Sequence, residues 1–233
     1  MLYQQLNLLD WSGPSPGWGK IAGVDEVGRG ALFGPVVAAA VMLPEACFDD
    51  LIQQGVTDSK QLSASQRTAL DTQIRRVAIA CTVGLASVQE IDRLNILQAS
   101  LLAMQRAIMR LSPTPELCLI DGNRKISTLT LPQHTIIQGD RTCLAIAAAS
   151  IVAKVWRDQL ITRLDARYPG YGLAAHKGYG TAKHRQAIQT LGISPQHRRS
   201  FRPCQPLSSD AGSTSGHLEP SSNPLEILPP NPN

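Results

Sequence analysis

The 233-residue chain has no apolar run approaching the roughly 20 residues that a membrane-spanning helix requires. Its N-terminal stretch lacks a basic segment and carries Asp10, so no signal peptide is predicted. The five cysteines include no C-x-x-C pair, which argues against a zinc site. Without a secretion signal, they are expected to be reduced thiols, mostly in the core. Together these absences predict a cytoplasmic protein with no membrane contact.

Basic residues are missing from one part of the chain and concentrated in another. The last thirty residues hold three acids and no lysine or arginine, so the net charge of +4 understates the basic character of the remainder. Residues 154–202 carry ten lysines and arginines against only two acids. This asymmetry favours a polyanionic partner, most commonly nucleic acid, over a solvated basic face without a partner.

The length and composition favour one main domain. Residues 1–19 are interpreted as an N-terminal lead-in, and residues 20–203 as the main domain, which includes a small C-terminal helical segment. Residues 204–233 contain six prolines and six serines with almost no aromatic or β-branched residues, which predicts a disordered tail.

Apolar periodicity predicts alternating strands and helices in the main domain. Two helices begin at capping boxes, Ser63 with Gln66 and Ser87 with Glu90. The glycine-containing connection after the first strand suits an antiparallel pair. This order of elements predicts an α/β or α+β domain with a mixed sheet. The predicted strands cover 21–25, 36–43, 81–86, 117–120 and 135–138, and the predicted helices cover 63–80, 87–111, 144–167 and 181–191.

Carboxylates follow three of the predicted strands. Asp25 ends the first and Glu26 follows it, Asp121 follows the fourth and Asp140 lies just beyond the fifth. Neighbouring strand ends lie about 5 Å apart, so these acids are expected to converge. Converged carboxylates repel one another unless a cation lies among them, and oxygen-only ligands suit Mg²⁺ or Mn²⁺. The alternative is a buried strand followed by a glycine turn, with acids that are merely solvated.

Glu26 raises a geometric difficulty. Consecutive strand residues point to opposite faces, so Asp25 and Glu26 cannot both face one site from a regular strand. We therefore expect Glu26 to lie where the strand bends into the glycine loop. A divalent site beside a basic surface is an arrangement suited to in-line phosphodiester hydrolysis, which predicts a metal-dependent nuclease.

Six segments, in order, resemble bacterial ribonuclease HII, of the type 2 ribonuclease H family. They are GVDEVGRGALFGPVVAAAV, TDSKQLS, LIDG, QGD, AIAAASIVAKVWRD and HKGYGT, and they span about residues 20–203. The resemblance implies a ribonuclease-H-like α/β fold, with a mixed sheet flanked by helices. It also implies an endonuclease that hydrolyses the RNA strand of RNA–DNA hybrids. Such an enzyme also cuts 5′ of ribonucleotides embedded in duplex DNA, as in ribonucleotide excision repair, and leaves 3′-hydroxyl and 5′-phosphate ends.

The resemblance also implies roles for individual residues. The metal ligands would be Asp25, Glu26 and Asp121, with Asp140 as the fourth acid, and the ion would be Mn²⁺ or Mg²⁺. Backbone groups of Gly28, Arg29 and Gly30 would sense the 2′-hydroxyl, which separates RNA from DNA. Tyr179 would stack on the sugar at the RNA-to-DNA junction. Two positions depart from many relatives, Gln138 in place of lysine and Cys143 in place of serine.

Other polar residues have simpler interpretations. Contacts with backbone phosphates are expected from a basic set. The histidines of the same region are interpreted as solvated residues of the basic face. Lys154 and Asp158 are expected to form a structural ion pair. Residues 58–60, Asp58-Ser59-Lys60, fit either an element that supports the site or contacts its substrate, or a plain turn. The basic set comprises Lys177, Lys183, Arg185, Arg198 and Arg199, and the histidines are His176, His184 and His197.

Two further functions remain open at this point. One is a hybrid-binding protein that has lost catalysis, but such a protein gains nothing from carboxylates that face phosphates. The other is a related nuclease of the same fold that acts on DNA, which has no use for a loop sensing the 2′-hydroxyl. The expected partner is therefore an RNA–DNA hybrid or duplex DNA containing ribonucleotides, bound by a monomer.

Overall fold

A computed structural model describes residues 17–57 and 59–205 and shows one five-stranded mixed sheet in the order β3-β2-β1-β4-β5. β1 pairs with β2 and β2 with β3 in antiparallel fashion, whereas β1–β4 and β4–β5 are parallel. The mixed sheet and its antiparallel first pair confirm the expectation from the sequence. Asp58, most of the lead-in and nearly all of the tail lie outside the described residues. The strands are β1 Ile21–Val27, β2 Val36–Met42, β3 Ala80–Ala86, β4 Leu117–Asp121 and β5 Gln133–Ile136.

Helices cover both faces of this sheet. The capping boxes at Ser63 and Ser87 are both formed, and the helix predicted over 144–167 has those bounds. No helix in residues 17–57 and 59–205 has the length and apolar character to cross a membrane. The helices are α1 Phe48–Gln53, α2 Ala64–Val77, α3 Val88–Leu94, α4 Ile96–Ile108, α5 Gly139–Thr142, α6 Leu144–Arg167, α7 Leu173–His176 and α8 Ala182–Leu191.

The single helix predicted over 87–111 is wrong, because the chain breaks into α3 and α4 at Asn95. This residue has φ of 72°, a conformation that asparagine tolerates better than most residues. Its side chain accepts a hydrogen bond from Gln98 N at 3.1 Å and so caps α4. The apolar period continues across the break because Ile91 of α3 and Met104 of α4 pack in the same core cluster.

Glycines allow the two main helices to approach the sheet closely. α6 crosses β1 at Gly23, where a Cβ would lie 2.2 Å from the carbonyl carbon of Ala145. α4 crosses β3 at Gly84, where a Cβ would lie 2.3 Å from the carbonyl oxygen of Ala103. Both contacts are with backbone, which cannot move aside as a side chain can, so these positions exclude any larger residue.

The segment that follows α6 and contains α7 and α8 packs against the C-terminal half of α6 and against the loop between β1 and β2. A separate apolar cluster joins Phe33 of that loop, Ile161 and Leu164 of α6, Leu173 of α7 and Ile188 of α8. As a result, residues 28–35 lie against residues 177–198, although more than 140 positions separate them in the sequence.

Candidate active site

Asp25 and Asp121 lie side by side on adjacent strands. Val24 and Ile120 are paired across β1 and β4, and both pack in the cluster beneath α4. Because strand side chains alternate, the next residues, Asp25 and Asp121, point to the opposite face, that of α6, from strands about 5 Å apart. Ser150 of α6 hydrogen-bonds the Asp25 carboxylate there. The expected convergence of these two acids is therefore present.

Glu26 does not occupy the bend that we expected, because β1 continues to Val27 and pairs Glu26 with Ala38. The chain leaves β1 two residues after Glu26, at Gly28. The carboxylate is only 8% exposed, and its Oε1 accepts a hydrogen bond from Arg29 Nη1 at 2.9 Å. The Glu26 side chain therefore leaves the opposite face of β1 from that of Asp25. It lies beyond the last residue pair of β1 with β4, and it is close enough to Asp121 for the charge of that acid to raise the pKa of Glu26.

Asp140 reaches the site from a helix and not from the end of a strand. β5 ends at Ile136, and Gln138 turns the chain with φ of 55°. Gly139 and Asp140 then begin α5, where the Gly139 N–H donates to Asp121 Oδ1 at 2.7 Å. This hydrogen bond joins α5 to the end of β4 and brings the fourth acid beside the third.

Residues 59 and 60 flank the four acids. Ser59 Oγ lies 2.9 Å from Ser150 Oγ, the hydroxyl that also bonds an acid of β1. Lys60 Nζ lies 3.7 Å from Asp140 Oδ2, with its side chain 79% exposed. This placement favours a contact around the site over a plain turn for the segment.

Burial and mutual repulsion shift the pKa values of three of the acids in the same direction. Burial raises the pKa of Asp25 well above its usual range, and the charges of Glu26 and Asp121 raise it further. Burial also raises the pKa of Glu26, although Arg29 opposes the shift. Burial raises the pKa of Asp121 as well, with the charge of Asp140 adding to it. A group of carboxylates that resist ionisation is a suitable place for a cation to supply the missing charge.

The donor set fits a hard divalent ion because it consists of carboxylate oxygens alone. In residues 17–57 and 59–205, no three acidic, imidazole or thiol side chains are arranged around a common point as they stand. Two of the carboxylates already have partners, since Glu26 accepts a hydrogen bond from Arg29 and Asp121 accepts one from the Gly139 amide. Binding of an ion would therefore require the Glu26 side chain to turn away from Arg29.

The two glycines of the Gly28-Arg29-Gly30 loop are needed for different reasons. Gly28 has φ of +90°, and a Cβ there would lie 2.1 Å from Arg157 Nε. Around Gly30 no atom lies within 4 Å of the position of a Cβ, and the residue is exposed. The fold itself therefore requires the first glycine, whereas the second leaves open space on the surface next to the acids.

Tyr179 lies next to this loop, as the substrate-binding prediction requires. Ala31 forms a β-bridge with Tyr179, and Leu32 N donates to Gly178 O at 2.8 Å. The Tyr179 ring centre lies 5.8 Å from Lys154 Nζ. Lys177 belongs to the same segment, where its Nζ donates to Thr162 Oγ1 at 2.7 Å and to the Ala174 carbonyl at 2.6 Å.

The expected Lys154–Asp158 pair is confirmed, with Nζ and Oδ1 2.9 Å apart. The side chains are only 16% and 18% exposed, so the pair is less exposed than a solvated surface bridge. Cys143, one of the two positions that depart from the family pattern, is the N-cap of α6, and its side chain makes no hydrogen bond to the helix. A serine there could cap the helix, which cysteine does only weakly.

Two arginines important to the site were not recognised from the sequence. The expectation that Arg198 contacts phosphate is wrong, because its side chain is 0% exposed. Arg157 is equally buried, and its three hydrogen bonds go to backbone carbonyls. One signal was available, since Arg157 shares the apolar face of α6 with Ile161 and Leu164, four and seven positions on. Nothing in the sequence around Arg198 indicates burial.

The expectation that all three histidines are solvated is also wrong, because His184 is 0% and His197 1% exposed. The Ser194 N–H donates to His197 Nδ1 at 2.9 Å, so His197 carries its proton on Nε2. That Nε2 lies 3.2 Å from His184 Nε2, which therefore accepts. His184 Nδ1 in turn donates to the Tyr179 carbonyl at 3.0 Å. Both imidazoles must be neutral for this chain of hydrogen bonds to exist.

The histidine pair predicts a loss of stability in acid. Burial, with a smaller contribution from the neighbouring His184, lowers the pKa of His197 to about 4. As the pH falls, histidine in the unfolded chain, with a pKa of about 6.5, binds a proton before the buried His197 does. The stability that neutral His197 contributes is therefore complete above pH ~6.5 and is lost as the pH falls towards ~4. The loss would reach about 3 kcal/mol. Urea unfolding of the native protein and of His197→Gln between pH 7.5 and pH 4.5 measures it, since only the native protein should show this slope. Parallel slopes in the two proteins would contradict the assignment.

Comparison with known proteins gives the family that this chain is similar to. A protein-family model described as Ribonuclease HII matches residues 22–204. A protein of that name from Acaryochloris marina is 64% identical over 80% of this chain and 94% of its own length. Another from Trichodesmium erythraeum is 65% identical over 79% of this chain and 88% of its own length. The crystal structure of ribonuclease H2 from Pyrococcus horikoshii OT3 superposes with a TM-score of 0.67 and 27% identity, covering 79% of this chain and 94% of that one.

Proposed function

Since this chain belongs to the ribonuclease HII family and is a ribonuclease H endonuclease, we propose that four carboxylates hold its divalent ions. The observation that carries this proposal is the placement of Asp25 and Asp121 side by side on adjacent strands, on the face covered by α6. The hydrogen bond from Gly139 to Asp121 brings a further acid to the same place. The proposed ligands are Asp25, Glu26, Asp121 and Asp140, and the proposed ions are Mn²⁺ or Mg²⁺.

When bound, divalent ions activate water and neutralise charge on the leaving oxygen. The chain's own contribution is to place the ligands. Asp25 and Asp121 are set by a five-stranded sheet, which keeps their separation constant. Glu26, which now accepts a hydrogen bond from Arg29, would be a ligand of the ion, and the Arg29 guanidinium would then be available to a phosphate. Lys60, close to Asp140 and mostly exposed, is placed to meet a second phosphate oxygen.

The substrate side of the proposal rests on the loop between β1 and β2. The amide N–H groups of Arg29 and Gly30 have no hydrogen-bond acceptor within the part of the chain that the structure describes. Such free donors beside open space suit recognition of a ribose 2′-hydroxyl. Tyr179, bridged to Ala31, would stack on the neighbouring sugar, and Lys177 would lie near a backbone phosphate. The proposed cut is on the 5′ side of the ribonucleotide and leaves 3′-hydroxyl and 5′-phosphate ends.

Two labelled duplexes that differ only by one ribonucleotide test this function. We expect a cut in the ribonucleotide duplex alone, on the 5′ side of the ribonucleotide, with Mg²⁺ or Mn²⁺ and none with a chelator, because both the ions and the 2′-hydroxyl are required. Denaturing gel electrophoresis measures the position of the cut. Cutting of both duplexes would support the proposed metal site but contradict recognition of the 2′-hydroxyl, and it would favour a DNA nuclease. Binding without any cut would favour the catalytically silent protein.

Two other expectations stay predictions. All five cysteines lie in the described part of the chain and are free thiols, consistent with the expected reduced state. We propose a cytoplasmic location on this basis, and a monomeric state because all four proposed ligands belong to one chain.

A further inference from the structure

Two buried guanidinium groups bind the backbone of the loop that carries Arg29 and Gly30. Arg157 Nη2 donates to Phe33 O at 3.0 Å and its Nε to Pro35 O at 3.2 Å. Arg198 donates to two more carbonyls of the same loop, those of Arg29 at 2.8 Å through Nη1 and Gly34 at 3.0 Å through Nε. Four carbonyl groups of residues 29–35 therefore point inward at two arginines.

Packing alone does not account for these arginines. Each is 0% exposed, and no carboxylate of the described residues forms an ion pair with either. Burying a guanidinium costs several kcal/mol, and apolar residues of similar volume would fill the space at less cost. A planar fork of donors does something that an apolar side chain cannot, because it sets the direction of each carbonyl that it binds.

The direction of one carbonyl determines the direction of the next amide. The peptide bond between Arg29 and Gly30 is trans, since the one cis bond in the described residues precedes Pro113. In a trans peptide the C=O and the following N–H point in opposite directions. Because Arg198 draws the Arg29 carbonyl into the protein, the N–H of the exposed Gly30 must point outward, away from Arg198.

We propose that Arg198 is a positioning residue for ribonucleotide recognition, which acts by turning the Gly30 amide outward to meet the 2′-hydroxyl. This inference rests on the proposed function and extends it to a residue that never touches substrate. Arg157 has a complementary part. Its Nη1 also binds the Lys177 carbonyl at 2.9 Å, so it joins the glycine loop to the segment that carries Tyr179.

The position of Arg198 supports a geometric role over an electrostatic one. Its guanidinium carbon lies 5.1 Å from the ring centre of Phe201, and its Nη2 is buried with no hydrogen-bond partner among the described residues. No part of the group can reach a phosphate. A lysine would keep the charge, but a single ammonium cannot bind the Arg29 and Gly34 carbonyls with the geometry of the fork.

Binding measurements on Arg198→Lys test the proposal. Both the reference protein and the variant would carry Asp121→Asn, so that substrate is not cut. Fluorescence anisotropy would give the dissociation constants for an all-DNA duplex and for the same duplex with one ribonucleotide. We expect the preference for the ribonucleotide duplex to fall by about tenfold, the value of one hydrogen bond, with all-DNA affinity unchanged.

Arg202→Lys is the matched control, because Arg202 is exposed, lies four residues further along and donates no hydrogen bond to the loop. It should leave the affinities for both duplexes unchanged. An equal loss of affinity for both duplexes in Arg198→Lys, or an unchanged preference, would overturn the proposal, since either result assigns Arg198 to general stability or charge.

A second measurement needs no change at Arg198. It tests whether the Gly30 amide meets the 2′-hydroxyl, even if Arg198→Lys fails to fold. In the Asp121→Asn protein, the NMR amide resonance of Gly30 should shift on adding the ribonucleotide duplex and shift much less with the all-DNA duplex. A response that is the same for both duplexes would refute the outward amide as the sensor. These results are separate from the proposed function, which fails only if the native protein does not cut at the ribonucleotide.

Discussion

Replacing Asp121 by asparagine is expected to lower cleavage of a ribonucleotide-containing duplex by about a thousandfold while hybrid binding is kept or improved. Loss of a ligand to the catalytic ions removes several kcal/mol of transition-state stabilisation, and each ~1.4 kcal/mol is a factor of ten in rate. Binding is spared because the change removes a negative charge that faces the phosphates of the substrate. Single-turnover cleavage and equilibrium binding measure the two effects separately.

The fold should survive this change. Asp121 Oδ1 accepts the Gly139 N–H at 2.7 Å, and the amide oxygen of an asparagine can accept the same hydrogen bond. Asp49→Asn is a suitable control, because Asp49 is an exposed acid of α1 whose loss should change neither cleavage nor binding. If Asp121→Asn weakened hybrid binding but cut at the native rate, the assignment of Asp121 as a metal ligand would be wrong.

Alanine at Gly28 and at Gly30 should have opposite effects, although one residue separates the two glycines. Gly28→Ala forces a side chain into φ of +90° and places its Cβ 2.1 Å from the buried Arg157 Nε. Left-handed backbone costs about 1–2 kcal/mol and overpacking about 1–3 kcal/mol, so we expect stability to fall by about 2–5 kcal/mol. Thermal unfolding should show this as a clear decrease in Tm.

Gly30→Ala should leave stability within about 0.5 kcal/mol, because the Cβ meets nothing within 4 Å and the backbone is not in the left-handed region. Cleavage should fall by about a hundredfold, since the methyl group occupies the space through which the sugar must approach and displaces it from the catalytic geometry. The kcat/KM for the ribonucleotide duplex measures this loss.

Each of the two glycine variants serves as the control for the other. A stable Gly28→Ala protein would show that Arg157 yields its place easily, and a fully active Gly30→Ala protein would show that substrate does not approach the loop there. If both variants lost stability equally, the open space beside Gly30 would have no special relation to substrate.

Much of this fold follows from signals that act over a few residues. The capping boxes at Ser63 and Ser87 formed as expected because each needs only residues within one helical turn. The bounds of α6 followed from its alanine-rich run and the break at Tyr168-Pro169-Gly170. The break at Asn95 escaped the same reasoning, since an apolar period continues unchanged when both halves of a helix cover the same core.

The sequence by itself determined the alternation of strands and helices, and it indicated which acids are candidates for a common site, because strand ends and carboxylates can be recognised locally. Only the tertiary structure decided how those acids meet. Asp140 comes from a short helix that the Gly139 amide attaches to Asp121, and Glu26 remains within its strand. The burial of Arg198 was likewise decided by packing, because residues 29–35 and 194–198 meet only in the folded chain. A basic side chain in a basic segment is locally the same whether it faces a phosphate or a buried carbonyl, and the contacts made by distant segments are what distinguish the two.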